Sequence, residues 1–239
     1  MLSIFQRVLA ILAVLTMCAP LAHAGGLERR GSLKDGPYSA YSWTGAYIGV
    51  TAGYGWGDSR FDDGARSNPF DIDGLVIGGT IGYNLQLQGN VVIGVEADIS
   101  YSDISGSFGP GNLGQPNGLG WGCGTGACVT DVNWFGTLRG RLGYAAADSL
   151  LIYATGGLAY GSIDSAIRND ADWITGNTAV GWTVGGGIEY VLRPGWTAKL
   201  EYLHVDLGWT DRNAAENFRS DAVFDVVRLG LNYRLGSMR

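Results

Sequence analysis

The chain has little of several residue types on which common functional classes depend. Its 239 residues include only 3 cysteines, 2 histidines and 6 prolines, and a single histidine, His204, lies beyond residue 24. No convincing stretch there has apolar residues at the i, i+3, i+4 and i+7 spacing of an amphipathic helix. This composition disfavours zinc sites built from cysteine and histidine, catalysis by a Ser-His-acid set, and an all-helical fold.

The first 24 residues have the pattern of a secretory signal peptide. Arg7 precedes an apolar run from Val8 to Met17, and small residues at Ala22 and Ala24 match the preference of signal peptidase. The apolar run is too short to span a bilayer. We therefore expect cleavage after Ala24, which would leave a secreted mature chain of 215 residues.

Net charge and glycine content exclude further classes of protein. The mature chain keeps 15 of the 16 basic residues and all 22 acidic ones, a net charge of −7 that argues against nucleic acid as a partner. All 40 glycines lie in the mature chain of 215 residues. Their share is well above the roughly 7% glycine of an average protein. The glycines follow no collagen period, and the chain is too apolar for general disorder.

What the mature chain has in abundance is alternation with a period of two residues. In each alternating segment one face is aliphatic and aromatic, and the other is glycine, threonine or charged. Such alternation predicts β-strands. The eight segments are 46–56, 75–85, 91–102, 132–144, 150–161, 179–191, 196–207 and 223–235.

Segment length and the order of connections favour a membrane barrel. Each segment is close to the roughly 9–11 residues that a tilted strand needs to cross a bilayer. Short connections at 86–90, 146–149 and 192–195 alternate with longer ones. The longer connections are residues 57–74, 103–131, 162–178 and 208–222. We predict an all-β, eight-stranded antiparallel up-and-down transmembrane barrel over residues 43–239, with short periplasmic turns and four long extracellular loops. Residues 25–42 are expected to be a flexible periplasmic leader.

A secreted β-sandwich is the alternative fold, since it would also alternate and carry a signal peptide. Its polar faces would meet water and be rich in lysine, glutamate and threonine. Here the polar faces are mostly glycine and other small residues, which suits a narrow barrel lumen.

The segment "WFGTLRGRLGYA" at 134–145 places two arginines on the polar, lumen-facing side of a strand. Since an unpaired buried ion is costly, we expect an ion-pair plug in the lumen. Pairing of the third and fourth strands places Glu96 near residue 138 and Asp98 near residue 136, with both arginines in diagonal reach. By the same logic Glu189 meets Lys199, and Glu201 meets Arg228. The predicted lumen charges are Glu96, Asp98, Arg139, Arg141, Glu189, Lys199, Glu201, Arg228 and Arg234.

Seven stretches together resemble the opacity-type small outer-membrane β-barrel proteins of alphaproteobacteria. They include "WTGAYIGVTAGYGWGDS" at 43–59, "GVEADIS" at 94–100, "LIYATGGLAYG" at 151–161, "WTAKLEYLHVDLG" at 196–208 and "VVRLGLNYRL" at 226–235. The resemblance implies an eight-stranded barrel whose relatives are surface antigens, envelope-integrity proteins and, in some cases, heme binders or host-contact proteins. It carries over no catalytic residues. Such proteins often end on an aromatic residue that helps assembly, where this chain has Leu235.

Few other residues are candidates for chemistry. Cys123 and Cys128, the two mature cysteines, favour a loop disulfide in an oxidising periplasm, with free or intermolecular thiols as the alternatives. They make a poor zinc site, and no metal site is expected. His204 is a candidate heme ligand, although a lone histidine is more often an interfacial or hydrogen-bonded side chain.

The sequence therefore predicts a non-enzymatic outer-membrane barrel of a Gram-negative bacterium, closed by inward ion pairs, that supports the envelope and presents surface loops. Its expected partners are outer-membrane lipid, lipopolysaccharide, the barrel assembly machinery and host or envelope components at the loops. The alternatives are a heme-binding or host-adhesion receptor, a narrow porin and a membrane enzyme. The predicted non-enzymatic barrel requires no cofactor.

Overall fold

Two-residue alternation organises the whole structure, because one face of every strand turns inward and the other outward. A computed structural model describes residues 41–62, 69–108, 127–168, 173–213 and 218–235. The predicted signal peptide, most of the leader, and Cys123 lie outside these residues. Within the described part, no helix is long and apolar enough to cross a membrane.

Eight antiparallel strands form one closed sheet in sequence order, and β1 pairs with β8 to close it. A short 3₁₀ turn, Gln88–Asn90, lies between β2 and β3. The predicted eight-stranded barrel is therefore confirmed. Because the sheet is closed, no strand of the described residues has an unpaired edge. The strands are β1 Gly45–Asp62, β2 Phe70–Gln86, β3 Val91–Phe108, β4 Ala127–Ala147, β5 Leu150–Arg168, β6 Trp173–Arg193, β7 Trp196–Asn213 and β8 Phe218–Arg234.

One end of the barrel has tight turns, as predicted. Between β6 and β7 only Pro194 and Gly195 remain outside the strands. Gly195 has φ +83°, a left-handed conformation that favours glycine, and this lets the chain reverse within two residues. We call the half of the barrel beside these turns the lower half, and the other half the upper half.

The strands are longer than the sequence predicts. They contain 17 to 21 residues, so they continue into stretches that we had expected to be loops. The connections at the upper end shrink accordingly, to 63–69, 109–126, 169–172 and 214–217. The physical reason for the difference is that the upper half has a second, apolar core, which stabilises strand pairing beyond the membrane-spanning length.

In the lower half the barrel has apolar side chains outside and charged side chains inside. Outward-facing Leu229 on β8 is 62% exposed, whereas inward-facing Arg228 beside it is 1% exposed. Aromatic residues border this apolar belt at both ends, with Tyr101 and Tyr144 as examples. On β3 the belt runs from Ile93 to Tyr101, in agreement with the roughly 9–11 residues that span a bilayer.

In the upper half the pattern is inverted. On β7 the inward side chains change from Lys199 and Glu201 to Leu203, Val205 and Leu207, all of them buried. The residues that complete this apolar core come from the other strands of the barrel. They are Phe70, Ile72, Val76, Ile104, Val132, Phe135, Ala159, Ile163, Ala179, Ala222, Phe224 and Val226.

Outward positions of the upper half are polar, as shown by Asp71 and Asp73 on β2 and by Asp206 on β7. The upper half therefore has the inside-apolar, outside-polar arrangement of a water-soluble barrel. A smaller apolar cluster around Trp43, Val92 and Leu151 lies among inward residues at the lower end.

The inversion predicts opposite tolerance to charge at two outward positions of β8. Leu229→Lys places an ammonium in the apolar belt and should cost about 2–4 kcal/mol of folding free energy. Val223→Lys should change it by less than about 0.5 kcal/mol, because its Cα partners Asp206 and Asp58 belong to the polar upper half. Urea titration of the refolded protein in lipid measures both. Equal costs at the two positions would contradict the assigned boundary.

Candidate functional site

The candidate site is a buried network of charged side chains in the lower lumen. Eight of the nine predicted lumen charges belong to it, and each is at most 5% exposed. They comprise four carboxylates and four cations, so the network is formally neutral. Its members are Glu96 and Asp98 on β3, Arg139 and Arg141 on β4, Glu189 on β6, Lys199 and Glu201 on β7, and Arg228 on β8.

Arg139 occupies the centre of the network. Its Nη2 lies 2.8 Å from Asp98 Oδ2 and also bonds Glu96, while its Nη1 lies 3.1 Å from Glu201 Oε1. The contact with Glu201 joins β4 to β7 through the lumen. The Nε of Arg139 donates to the Thr137 hydroxyl at 2.8 Å, which fixes the plane of the guanidinium.

Arg228 completes the same group from β8. Its Nη2 lies 2.9 Å from Asp98 Oδ2 and 2.7 Å from Glu201 Oε2. Asp98 and Glu201 are therefore each held between two guanidinium groups. Forked contacts of this kind satisfy several donors and acceptors at once, as buried charges require.

Arg141 lies on the side of the network towards the short turns. Its Nη2 is 2.8 Å from Glu189 Oε2, and its Nη1 donates to the Tyr47 hydroxyl at 2.6 Å. Tyr47 in turn donates to Glu96 Oε2 at 2.7 Å. The ring of Tyr153 lies against the guanidinium, with 3.9 Å between Cζ and the ring centroid. The cation-π contact and the hydrogen bonds thus fix the position of the Arg141 side chain.

Glu189 and Lys199 lie opposite each other on neighbouring strands, as predicted, but their side chains do not form the expected ion pair. The Lys199 ammonium lies 3.0 Å from both carboxylate oxygens of Glu96. Glu189 instead accepts from Arg141, from the Thr197 hydroxyl at 2.5 Å and from the Asn232 amide at 3.0 Å. The narrow lumen is the reason, because the long lysine side chain of β7 reaches the facing wall at β3.

The predicted register of β3 and β4 was one residue out. Glu96 lies opposite Arg139 and Asp98 opposite Thr137, rather than opposite residues 138 and 136. Directly opposed residues of an antiparallel pair share a face of the sheet. An inward glutamate therefore faces an inward arginine and not the outward Leu138. The expected pairing of Glu201 with Arg228 matches the register and the short contact between them.

Arg234 does not lie in this network. It sits at the lower mouth of the barrel, where its guanidinium Cζ is 4.5 Å from the centroid of the Tyr41 ring. Tyr41 also packs edge-on against Trp43, with 5.0 Å between ring centroids. Burial raises the pKa of the Tyr41 hydroxyl. The mouth is thus covered by residues just before β1, of which Tyr41 belongs to the segment that we had assigned to the leader.

Glycine on the inward face makes room for side chains that cross the lumen. A Cβ at Gly230 would lie 2.8 Å from Cγ of Lys199, whose stem runs along the wall there. A Cβ at Gly82 would overlap the ring of Tyr47. The abundance of glycine on the polar faces therefore follows from the close packing of the charged network against the sheet.

Some members of the site were missed by sequence reasoning. Tyr47, Tyr153 and Thr137 bond the charges directly, and their inward position in the alternation would have identified them. The apolar plug of the upper half was also missed, because its inward side chains are apolar, so the alternation has the opposite sense to that of the membrane-spanning segments. At its base Phe135 and Phe224 pack edge-on with ring centroids 5.2 Å apart.

His204 lies outside the lumen. It is on the outward face of β7, at the boundary between the apolar belt and the polar upper half, and its Nδ1 lies 2.8 Å from Asp225 Oδ1. Among the described residues, no group of three or more His, Cys, Asp or Glu side chains is placed to hold a metal ion. The predicted disulfide lies outside the described part of the chain, because Cys123 and the side chain of Cys128 are not among the described residues.

Comparison with known proteins agrees with this architecture. The family model described as outer membrane protein beta-barrel domain matches residues 9–234. The chain belongs to this family of outer-membrane β-barrel proteins. It lies in the outer membrane of a Gram-negative bacterium. Because outer-membrane barrels have short periplasmic turns, we expect the upper half to lie outside the cell.

Curated relatives of this outer-membrane barrel come from alphaproteobacteria. A 31 kDa outer-membrane immunogenic protein of Brucella melitensis is 40% identical over 215 residues, which cover 83% of this chain and 86% of the relative. A 22 kDa outer membrane protein of Rhizobium leguminosarum bv. viciae is 33% identical, covering 70% of this chain and 65% of the relative.

Similar solved structures include Neisserial surface protein A, which is 11% identical with a TM-score of 0.42 and covers 81% of this chain and 98% of its own. OprG from Pseudomonas aeruginosa is 12% identical with a TM-score of 0.43, covering 82% and 99% respectively.

Loss of the central guanidinium should destabilise the barrel strongly. Arg139→Ala leaves three carboxylates without one of their cations, and breaking a buried pair in this way costs roughly 3–5 kcal/mol. Arg193→Ala is the matched control. That arginine is exposed at a periplasmic turn with its guanidinium 5.1 Å from the Trp196 ring centroid, and its loss should cost less than about 1 kcal/mol. Urea unfolding in lipid measures both, and similar costs would contradict the network's role.

Proposed function

We propose that this outer-membrane protein is a non-enzymatic, closed barrel that supports the cell envelope and presents its upper end to the surroundings. The observation that carries the proposal is the neutral, buried ion-pair network, whose contacts join β3 to β7 and β8 and join β4 to β7. Its charged groups are occupied with one another rather than arranged around an open path. This favours a structural role over transport or catalysis.

Two seals in series support a closed lumen. The first is the charged network, and the second is the apolar core above it, which includes the Phe135 and Phe224 pair. A solute would have to separate paired charges and then cross a segment that water wets poorly. An eight-stranded barrel is also just wide enough for its own side chains to fill.

The upper half supports a role in surface presentation. Strand β3 continues from the end of the belt at Tyr101 to Phe108. At about 3.3 Å per residue and a strand tilt of about 40°, this extension rises roughly 18 Å above the membrane. Its apolar core makes it a firm support for the connecting loops. The immunogenic relative from Brucella melitensis agrees with presentation at the cell surface.

Conductance in planar bilayers tests the closed lumen. Refolded wild-type protein should pass no steady current, and Arg139→Ala should remain silent because the apolar seal persists. Adding Phe135→Ala and Phe224→Ala to that variant removes large side chains from both seals and should allow current. Tyr101→Ala, a change on the lipid-facing side, is the control that should leave the barrel silent. Stable, ion-selective current through the wild type would contradict closure and assign the protein to transport.

Deletion of the gene tests the envelope role. We expect the deletion strain to become several-fold more sensitive to SDS with EDTA, because a stable barrel no longer occupies the outer membrane. Wild-type protein should restore resistance, whereas the unstable Arg139→Ala variant should restore less at matched expression. Arg193→Ala serves as the control that restores resistance fully. Unchanged sensitivity in the deletion strain would contradict the proposed envelope role.

A further inference from the structure

A polar cluster lies on the outward face of the barrel at β7 and β8. The Tyr202 hydroxyl donates to Asp225 Oδ1 at 2.8 Å, and His204 Nδ1 lies 2.8 Å from the same oxygen. On the adjacent strand β6, the Trp182 ring packs against the His204 ring with 5.4 Å between centroids. About a third of the His204 and Asp225 side chains is exposed, so the cluster is open to the outside.

The cluster lies between the apolar belt and the polar upper half, and this height determines which molecules can contact it. On its periplasmic side the outward residues are apolar, as shown by Val184 and Leu229, which are 49% and 62% exposed. On its other side Asp206 begins the polar wall of the upper half. The cluster therefore faces the head groups of the outer leaflet, above the acyl chains and below bulk water.

This arrangement is more specific than an ordinary aromatic girdle. A girdle residue anchors the barrel by one amphipathic ring. Here two side chains, Tyr202 and His204, hold a single carboxylate oxygen of Asp225 in place. Because His204 uses Nδ1 for this contact, its Nε2 is directed away from Asp225. The result is a preorganised set of polar atoms beside the face of an indole ring.

The chemistry of the cluster favours neutral sugar hydroxyls over phosphate. Carboxylates accept hydrogen bonds from hydroxyls but repel phosphate, and Asp225 and Asp206 together make the region acidic. The Trp182 ring offers the flat, weakly polar surface on which a pyranose ring packs, while His204 Nε2 and the Asp225 carboxylate supply acceptors for sugar hydroxyls. In the outer leaflet, the molecule that carries sugar rings at this height is lipopolysaccharide.

We propose that Trp182, His204 and Asp225 form a binding site for the saccharide head group of lipopolysaccharide. Tyr202 acts as a positioning residue that holds Asp225. The site fixes this face of the barrel against a lipid of the outer leaflet. It rests on the outer-membrane location of the chain and is independent of whether the lumen is closed.

Calorimetric titration of the refolded mature protein with rough lipopolysaccharide that retains its neutral core sugars, in detergent micelles, tests the proposal, with EDTA present to remove bridging cations. Asp225→Asn keeps the side-chain size, His204→Gln keeps a polar group, and Trp182→Leu removes the stacking surface. Each variant should weaken binding about tenfold, equivalent to about 1.4 kcal/mol. Heat-modified migration in SDS gels verifies that each variant is folded, and Trp182→Phe is the milder second variant at that position.

Asp73→Asn is the matched control. Asp73 is bonded by the Tyr54 hydroxyl and lies at the same height as Asp225, since both are Cα partners of Trp56, but no histidine completes its contact. This control should bind lipopolysaccharide with less than a twofold change. Removing the phosphates from the lipopolysaccharide should leave the affinity of the wild type nearly unchanged.

Three results would overturn the proposal. The first is equal affinity in all variants. The second is binding that is absent in EDTA, appears only with Mg²⁺ and disappears on dephosphorylation, which would show cation bridging by the acidic wall. The third is hemin binding that His204→Gln abolishes while lipopolysaccharide affinity stays the same, which would assign the cluster to an iron porphyrin.

Discussion

The structure depends on the requirement that an ion buried in a narrow lumen be paired. Four carboxylates and four cations meet this requirement together, and several of their contacts run between facing walls of the barrel rather than between neighbouring strands. A carboxylate such as Glu96, in contact with Lys199, Arg139 and Tyr47, is therefore also a cross-link through the lumen. Inward glycines follow from the same requirement, because they give the crossing side chains room against the sheet.

A single sheet serves two solvents because its alternation is inverted part-way along the strands. In the membrane the apolar face looks out to lipid and the charged face inward. Above the membrane the inward face becomes apolar, as at Leu203 and Phe224, and the outward face becomes polar. Each half thus buries the side chains that its surroundings do not solvate. The boundary sets the height of the barrel in the bilayer and places the His204 cluster at the head groups.

The sequence predicts the fold well in the lower half, where apolar residues alternate regularly with polar residues and the apolar face is outward. Strand number, barrel closure and the inward placement of Arg139, Arg141 and their partners follow from the period of two residues and from the cost of unpaired charge. The upper halves of the strands were assigned to loops because alternation there is interrupted by bulges, for example between Tyr101 and Ile104, and has the opposite sense.

The partners of individual charges were harder to predict than their faces. Pairing arguments consider neighbouring strands, whereas Lys199 of β7 reaches Glu96 of β3 through the lumen. Only the diameter of the closed barrel determines such contacts, and the diameter is a property of the whole sheet. The His204 cluster was likewise invisible in sequence, since Asp225 becomes its neighbour only through the pairing of β7 with β8.

The most direct test of the inverted pattern is a nitroxide scan along the outward positions of β8, measured by electron paramagnetic resonance in lipid bilayers. Collision with oxygen reports lipid, and collision with a water-soluble nickel complex reports solvent. We predict that labels at 227, 229 and 231 are accessible to oxygen and that labels at 223 and 225 are accessible to nickel. Continuous accessibility to oxygen up to 223, or to nickel down to 229, would contradict the change of solvent between Asp225 and Val227.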